Sequence, residues 1–151
     1  MRIKTEFIGL EALQQHIIEM GSETLLNKVN RTIVEAGQQE GIKRSKPNMP
    51  KAADHSKSGV KRGGMRATPS GISKENIPMN KIKKDGLYMT GDIGWLPDDT
   101  SEHFYVKFPI YGTNFGIDEH PVFEKAEPEV KSFITRMAEA EYKKVLEDAF
   151  K

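Results

Sequence analysis

A stretch of 42 residues without helical or strand periodicity, residues 43–84, limits how this 151-residue chain can fold. It carries 12 lysines and arginines, only 2 acids, and prolines at positions 47, 50, 69 and 78. Such a segment cannot bury enough apolar surface to offset its ordering entropy, so we predict a basic mobile loop or arm. The core of a single domain spanning residues 1–151 must then come from the two flanking regions.

The region before the loop has the pattern of one strand followed by two helices. Residues 2–8 alternate between polar and apolar, which predicts a strand, and apolar residues then recur at helical spacing over residues 10–20. A second helix is predicted from an N-cap at Ser22 to about Lys43. The residues predicted for its apolar face are Leu25, Leu26, Val29, Ile33 and Val34.

The region after the loop predicts a β-hairpin and a long helix. Residues 86–95 read as a strand with Leu87, Met89 and Ile93 on one side, and residues 104–111 as its antiparallel partner. Gly112 then reverses the chain. The last helix is predicted after Phe123, with Pro128 at its first position, and its apolar stripe contains Val130, Phe133, Ile134, Met137 and Val145.

These elements together predict an α+β fold. A small antiparallel or mixed sheet is packed by two N-terminal helices and one long C-terminal helix, with the long basic loop inserted. Phe123 is predicted to be a core anchor, buried where the turn after Gly112 meets the last helix.

Short motifs near the C-terminus resemble the signature of the small tail-completion, or neck, proteins of long-tailed bacteriophages. That signature has a strand containing Tyr-Ala and Gly-Thr, then a Pro-Phe segment with a following alanine, then a terminal helix. The matching positions are Tyr105, Gly112, Thr113, Pro121, Phe123 and Ala126. The likeness covers about the last third of the chain.

The resemblance implies a structural virion protein that forms a homo-oligomeric ring at the head-tail junction or the tail end. Analogy with tail terminators implies a hexamer, and a position nearer the portal would imply a dodecamer. The implied partners are other neck and tail-tube proteins, with genomic DNA in the lumen. The implied locations are the host cytoplasm during assembly and then the virion neck or tail, with no membrane contact.

Charge is unevenly distributed although the net charge is only +1. Residues 1–42 carry −2, residues 43–84 carry +10 and residues 85–151 carry −7. We therefore expect the basic segment to contact the acidic C-terminal region of a neighbouring subunit. The candidate contact residues are Lys57, Lys61, Arg62, Arg66, Lys81, Lys83 and Lys84.

A second hypothesis stays open, in which the same segment binds phosphates and the protein is a nucleic-acid-binding adaptor. Segment 43–84 has no aromatic residue on which a base could stack, and this favours a protein partner.

The sequence gives little support for catalysis, a cofactor or a metal site. The chain has no cysteine, and its 4 histidines lack the His-x-x-x-His spacing of a helical metal site. Residues 59–66 combine glycine with basic residues, but they lack the Gly-Lys-Ser/Thr ending of a nucleotide-binding loop. We therefore expect no enzyme and no cofactor. Since no apolar run has the length of a signal peptide or a membrane span, we expect synthesis in the cytosol.

The predicted mobility of the basic segment gives a first test. Limited trypsin digestion of the isolated protein should cut first within residues 46–80, because like charges, prolines and glycines oppose compaction there. Mass spectrometry of the early fragments locates the cuts. Equal protection of this segment and the terminal helix would contradict the prediction.

Overall fold

The computed structural model describes residues 1–4, 23–49, 77–86, 88–99, 106–114, 116 and 118–149. The mixture of helices with a small antiparallel sheet confirms the predicted α+β class. The helix predicted over residues 10–20 lies outside the described residues. In chain order the described elements are β1 (Arg2–Lys4), α1 (Glu23–Ser45), a 3-10 turn (Lys46–Asn48), β2 (Lys83–Asp85), β3 (Tyr88–Asp92), α2 (Lys107–Tyr111) and α3 (Val122–Ala149).

Helix α1 confirms the predicted second helix and extends two residues past Lys43. Leu26, Val29, Ile33 and Val34 are buried as the spacing predicts, whereas Leu25 lies toward solvent. These buried side chains recur every three or four residues, so they form one stripe that faces the core.

Helix α3 begins at Val122, earlier than predicted, and Pro128 lies inside it. Pro121 fixes the approach to the helix, and Val122 and Phe123 are buried in its first turn, so packing starts the helix before the proline. Pro128 lacks the N–H that would bond the carbonyl of residue 124, but its exposed ring meets no packing conflict with the core. The placement of Pro128 at the first helical position was therefore wrong.

The helices α1 and α3 pack against each other along one apolar seam. Val130, Ile134 and Val145 supply the predicted stripe of α3, together with the small residues Ala126 and Ala138, which let the helices approach closely. The seam also contains one buried polar pair, in which the Tyr142 hydroxyl donates to Oδ1 of Asn30. This bond fixes the register of the two helices, because a shifted register would leave buried polar atoms without their partner.

The described sheet has the strand order β1-β3-β2, with both neighbours antiparallel to β3. Met89, Gly91 and Ile93 are buried on the side that faces α1, which confirms the predicted facing of Met89 and Ile93. Leu87 lies outside the described residues. The helix approaches β3 so closely that a Cβ atom at Gly91 would lie 2.6 Å from Cδ of Gln38.

A second apolar cluster surrounds the aromatic rings of Trp95 and Phe123, both 1% exposed. It includes Met49 and Ile77, which stand near the two ends of the predicted basic loop. The loop prediction is therefore corrected at both ends. Residues 43–45 belong to α1 and residues 83–84 to β2, so apolar packing and strand pairing order more of the segment than its composition suggested.

The predicted hairpin between residues 86–95 and 104–111 is wrong. Strand β3 pairs with β1 and β2, and residues Lys107–Tyr111 form the one-turn helix α2. Val106 and Ile110 are both buried at a spacing of four, which is the helical spacing, while Phe108 lies toward solvent. Pro109 fits this turn because the first N–H groups of a helix need no partner within it.

Candidate interaction surface

Three of the seven predicted contact residues lie on the outer edge of the described sheet. Lys83 and Lys84 belong to β2, Lys81 precedes it, and all three side chains are exposed. Lys57, Lys61, Arg62 and Arg66 lie outside the described residues. We call Lys81, Lys83 and Lys84 the basic edge.

The basic edge continues back along the chain to Met79. Met79 forms a bridge with Ile93, and the amide of Asn80 donates to the carbonyl of Asp92 over 2.9 Å. Residues 79–85 therefore follow the same side of β3 and present an exposed border of the sheet. Lys84 lies 3.6 Å from the Glu23 carboxylate at the start of α1, so one of the three charges has an acidic neighbour in its own chain.

A buried glutamine that the sequence analysis missed holds this border in place. The Nε2 atom of Gln38 donates to the carbonyl oxygens of Asn80 and Asp92, each over 2.8 Å. The side chain is 1% exposed, so the two bonds form away from water. The only sequence signal was a polar residue four positions after Val34 on the apolar face of α1.

The basic residues at the other end of the segment lie beside α3 and are largely paired. A cleft of about 570 Å³ is lined by Lys43, Arg44, Pro47, Asn48, Lys125, Ala126 and Glu129. Arg44 contacts Glu40 at 2.7 Å and Glu129 at 2.6 Å, and its hydrogen bond lowers the pKa of the Glu40 carboxyl. Since Arg44 is already matched by two acids, the cleft is a weaker anion site than its composition suggests.

The structure shows where most of the residues that carry the family resemblance lie. Gly112 ends α2 with φ of +70°, a conformation that favours glycine. Phe123 is buried as predicted, and Ala126 lies in the seam between α1 and α3. Thr113 is half-buried beside Gly112, Pro121 precedes α3, and Tyr105 lies outside the described residues.

The turn before α3 is fixed by backbone and side-chain hydrogen bonds. The amide of His120 donates to the carbonyl of Pro109 over 3.0 Å, and its Nε2 atom lies 3.0 Å from the carbonyl oxygen of Asn48. His120 therefore joins α2, the 3-10 turn and the start of α3. Its role in this turn is structural.

Three exposed acids lie close together in the sequence at the start of α3. Asp118, Glu119 and Glu124 are exposed, and we call them the acidic face. Burial raises the pKa of Tyr111, and the nearby carboxylates of Glu124 and Asp92 raise it further. Burial lowers the pKa of the Met1 amino group, which Glu124 opposes, so Glu124 also lies near the residue that precedes β1.

Many of the acids farther along α3 are paired on the helix itself. Glu127 lies 2.6 Å from Lys131, Glu141 2.5 Å from Lys144 and Glu147 3.9 Å from Lys143. Helix α3 carries little of the −7 charge of residues 85–151, because its 7 acids are accompanied by 5 bases. Among the residues that the structure describes, Asp118, Glu119 and Glu124 of the acidic face form no ion pair.

Within the described residues, no three histidine, aspartate or glutamate side chains come together in a way that could hold a metal ion. None of the helices described is both long and apolar enough to cross a membrane. The candidate site consists of two oppositely charged surfaces, the basic edge and the acidic face. Searches for similar proteins among family models, curated proteins and solved structures found no match.

Proposed function

We propose that this protein is a structural component of a bacteriophage or prophage, and that it forms a ring at the head-tail junction or the tail end. The observation that carries the proposal is the family signature at Gly112, Thr113, Pro121, Phe123 and Ala126. The protein acts by assembly, with itself and with other neck and tail-tube proteins, and performs no catalysis. Its place is the host cytoplasm during assembly and then the virion.

Two structural features support this proposal. The signature residues Gly112, Phe123 and Ala126 shape a turn and fill the core, as residues that define a fold would. The small sheet also leaves a border, residues 79–85, that is exposed in the isolated chain. Borders of this kind are available to neighbouring subunits.

The alternative is a nucleic-acid-binding adaptor that uses residues 43–84. The observation in its favour is that exposed cations stand at both described ends of the segment, at Lys43 and at the basic edge. Such contacts would be independent of nucleic-acid sequence and sensitive to salt. The pairing of Arg44 with Glu40 and Glu129 weakens this alternative at one of those ends.

Reversing Lys61, Arg62 and Arg66 to glutamate tests the two hypotheses against each other. The ring hypothesis expects reduced assembly of the pure protein in sedimentation velocity, with the helical circular dichroism and melting temperature unchanged. Salt weakens both kinds of contact, since exposed charges are screened over about 8 Å at physiological ionic strength. The two hypotheses therefore differ in the partner and not in the salt response.

The matched control reverses three exposed cations outside the segment, Lys28, Arg136 and Lys143, and should leave assembly intact. Retention on random-sequence duplex DNA is measured for the wild type, the Lys61/Arg62/Arg66 variant and the control variant. Strong duplex binding by a wild-type protein that stays monomeric, lost in the Lys61/Arg62/Arg66 variant alone, would reject the ring and favour the adaptor.

A further inference from the structure

We infer that copies of this chain associate head to tail, with the basic edge of one subunit docked on the acidic face of the next. This inference rests on the proposed ring and identifies the two surfaces that would form its repeated contact. The occupant of the basic edge is thus a second copy of the same chain.

The two surfaces lie on opposite sides of the central strand β3. On one side Met79 bridges Ile93, and the border continues to Lys83. On the other side the amide of Ile93 donates to the carbonyl of Met1 over 3.1 Å, and Glu124 lies near Met1. A contact between two different surfaces on opposite sides of a subunit is heterologous, and repeated rotation about it can close a ring.

Within the described parts of the chain, the charged side chains of both surfaces have few ion-pair partners. Among the described residues, Lys81 and Lys83 form no ion pair, and Lys84 has only Glu23 at 3.6 Å. Glu119 and Glu124 also form no ion pair with another described residue, in contrast to Glu127, Glu141 and Glu147. A partner of opposite charge would therefore gain attraction at both surfaces.

The acids at the start of α3 also have an effect within the subunit, because negative charge near a helix N-terminus is stabilising. That effect accounts for Glu124, which lies in the first turn. It does not account for the cations on the opposite border. Docking between subunits explains why the basic edge and the acidic face carry opposite charges.

The contact is expected to work through side-chain charge and not through extension of the sheet. Lysines on an edge strand oppose direct strand pairing between copies. A twofold pairing of two basic edges would place like charges against each other, and such pairs are destabilising. Docking on the acidic face avoids both conflicts and gives the assembly a direction.

Two charge-reversed variants test the inference. The first carries Lys81→Glu and Lys83→Glu, and leaves Lys84 beside Glu23 unchanged. The second carries Glu119→Lys and Glu124→Lys. Each alone has like charges on both surfaces, so its self-association in sedimentation velocity should weaken at least about tenfold, which corresponds to 1.4 kcal/mol. An equimolar mixture should recover assembly. In a ring in which the two variants alternate, the edge of each subunit again has a charge opposite to that of the face it contacts.

Matched controls apply the same changes of charge elsewhere. Lys28→Glu with Arg136→Glu reverses two exposed cations, and Glu139→Lys with Asp148→Lys reverses two exposed acids of α3. Both pairs should assemble like the wild type and gain nothing from mixing. Circular dichroism and melting temperature are measured for every variant, so that a loss of fold is not read as a loss of contact.

The outcomes separate this inference from the ring itself. If the wild type forms rings and each of the two variants alone forms them equally well, the inference is overturned and the proposed function still stands. If the first variant recovers assembly as fully with the wild type as with the second variant, its acidic edge pairs with a basic edge in both mixtures. That result would indicate twofold pairing of edges and would also overturn the inference, because head-to-tail docking makes only half of the contacts complementary in the mixture with the wild type. A wild-type chain that stays monomeric at every accessible concentration would overturn both.

Discussion

Replacing Phe123 with alanine is expected to destabilise the protein by about 3–5 kcal/mol, the usual cost of removing a large buried aromatic side chain. The phenyl side chain is 1% exposed and lies in the cluster that contains Trp95, Val106 and Ile110. Met49 and Ile77, from the two ends of the predicted basic loop, belong to the same cluster. The closeness of the phenyl ring to Gly94 shows how tightly it fits, since a Cβ atom there would lie 2.6 Å from Cζ of Phe123. Removal of the Phe123 phenyl ring therefore leaves a cavity that the neighbouring backbone cannot easily fill.

Thermal and denaturant unfolding measure the effect. For a chain of this length we expect a fall in melting temperature on the order of ten degrees. Phe108→Ala is the matched control, because the Phe108 side chain is 39% exposed and its removal should cost much less. A loss of only a few degrees in Phe123→Ala, similar to that of the control, would contradict a central role for Phe123.

The long helices could be predicted from the sequence because their signals are local. In α1, Leu26, Val29, Ile33 and Val34 repeat at helical spacing, and the structure buries all four. The start of α3 was less predictable. Pro128 fits a first helical position as well as it fits an early turn, and only the burial of Val122 and Phe123 decides between the two.

The sheet was predicted less well because strand pairing depends on distant residues. β3 was recognised, but its partners are β1, about 90 residues away, and β2, on its other side. Residues 104–111 are rich in aromatic and β-branched side chains, which favours a strand locally. The spacing of Val106 and Ile110 was the signal for helix α2, and two residues are too few to outweigh composition.

The candidate surface was predicted in part. The charge pattern indicated Lys81, Lys83 and Lys84, which the structure exposes along one border. It did not indicate that Glu127, Glu141 and Glu147 are matched within α3, because that depends on which faces of the helix they share. Nor did it reveal Gln38, whose role depends on two backbone carbonyl groups from distant segments.

The tight contact between α1 and the sheet gives the last prediction, that Gly91→Ala destabilises the protein although it adds only one methyl group. The new Cβ atom would lie 2.6 Å from Cδ of Gln38 and 2.7 Å from Cγ1 of Val34. Overpacking of this kind costs about 1–3 kcal/mol. Gln38 can move only by giving up bonds to Asn80 and Asp92, and each buried bond contributes roughly 1 kcal/mol more.

A double-mutant cycle with Gln38→Ala identifies the cause. Gln38→Ala alone removes both bonds and destabilises the protein, but it also removes the atoms nearest to the new methyl group. Gly91→Ala should therefore cost less in that background than in the wild type, as denaturant unfolding would show by a coupling energy on the order of 1 kcal/mol. Gly86→Ala is the contrasting case, since a Cβ atom there meets nothing within 4 Å and only its φ of +59° opposes the change. If Gly91→Ala lowers the free energy of unfolding equally in the two backgrounds, the Gln38 side chain does not resist the added methyl group. The two hydrogen bonds of Gln38 would then not set the distance between α1 and β3.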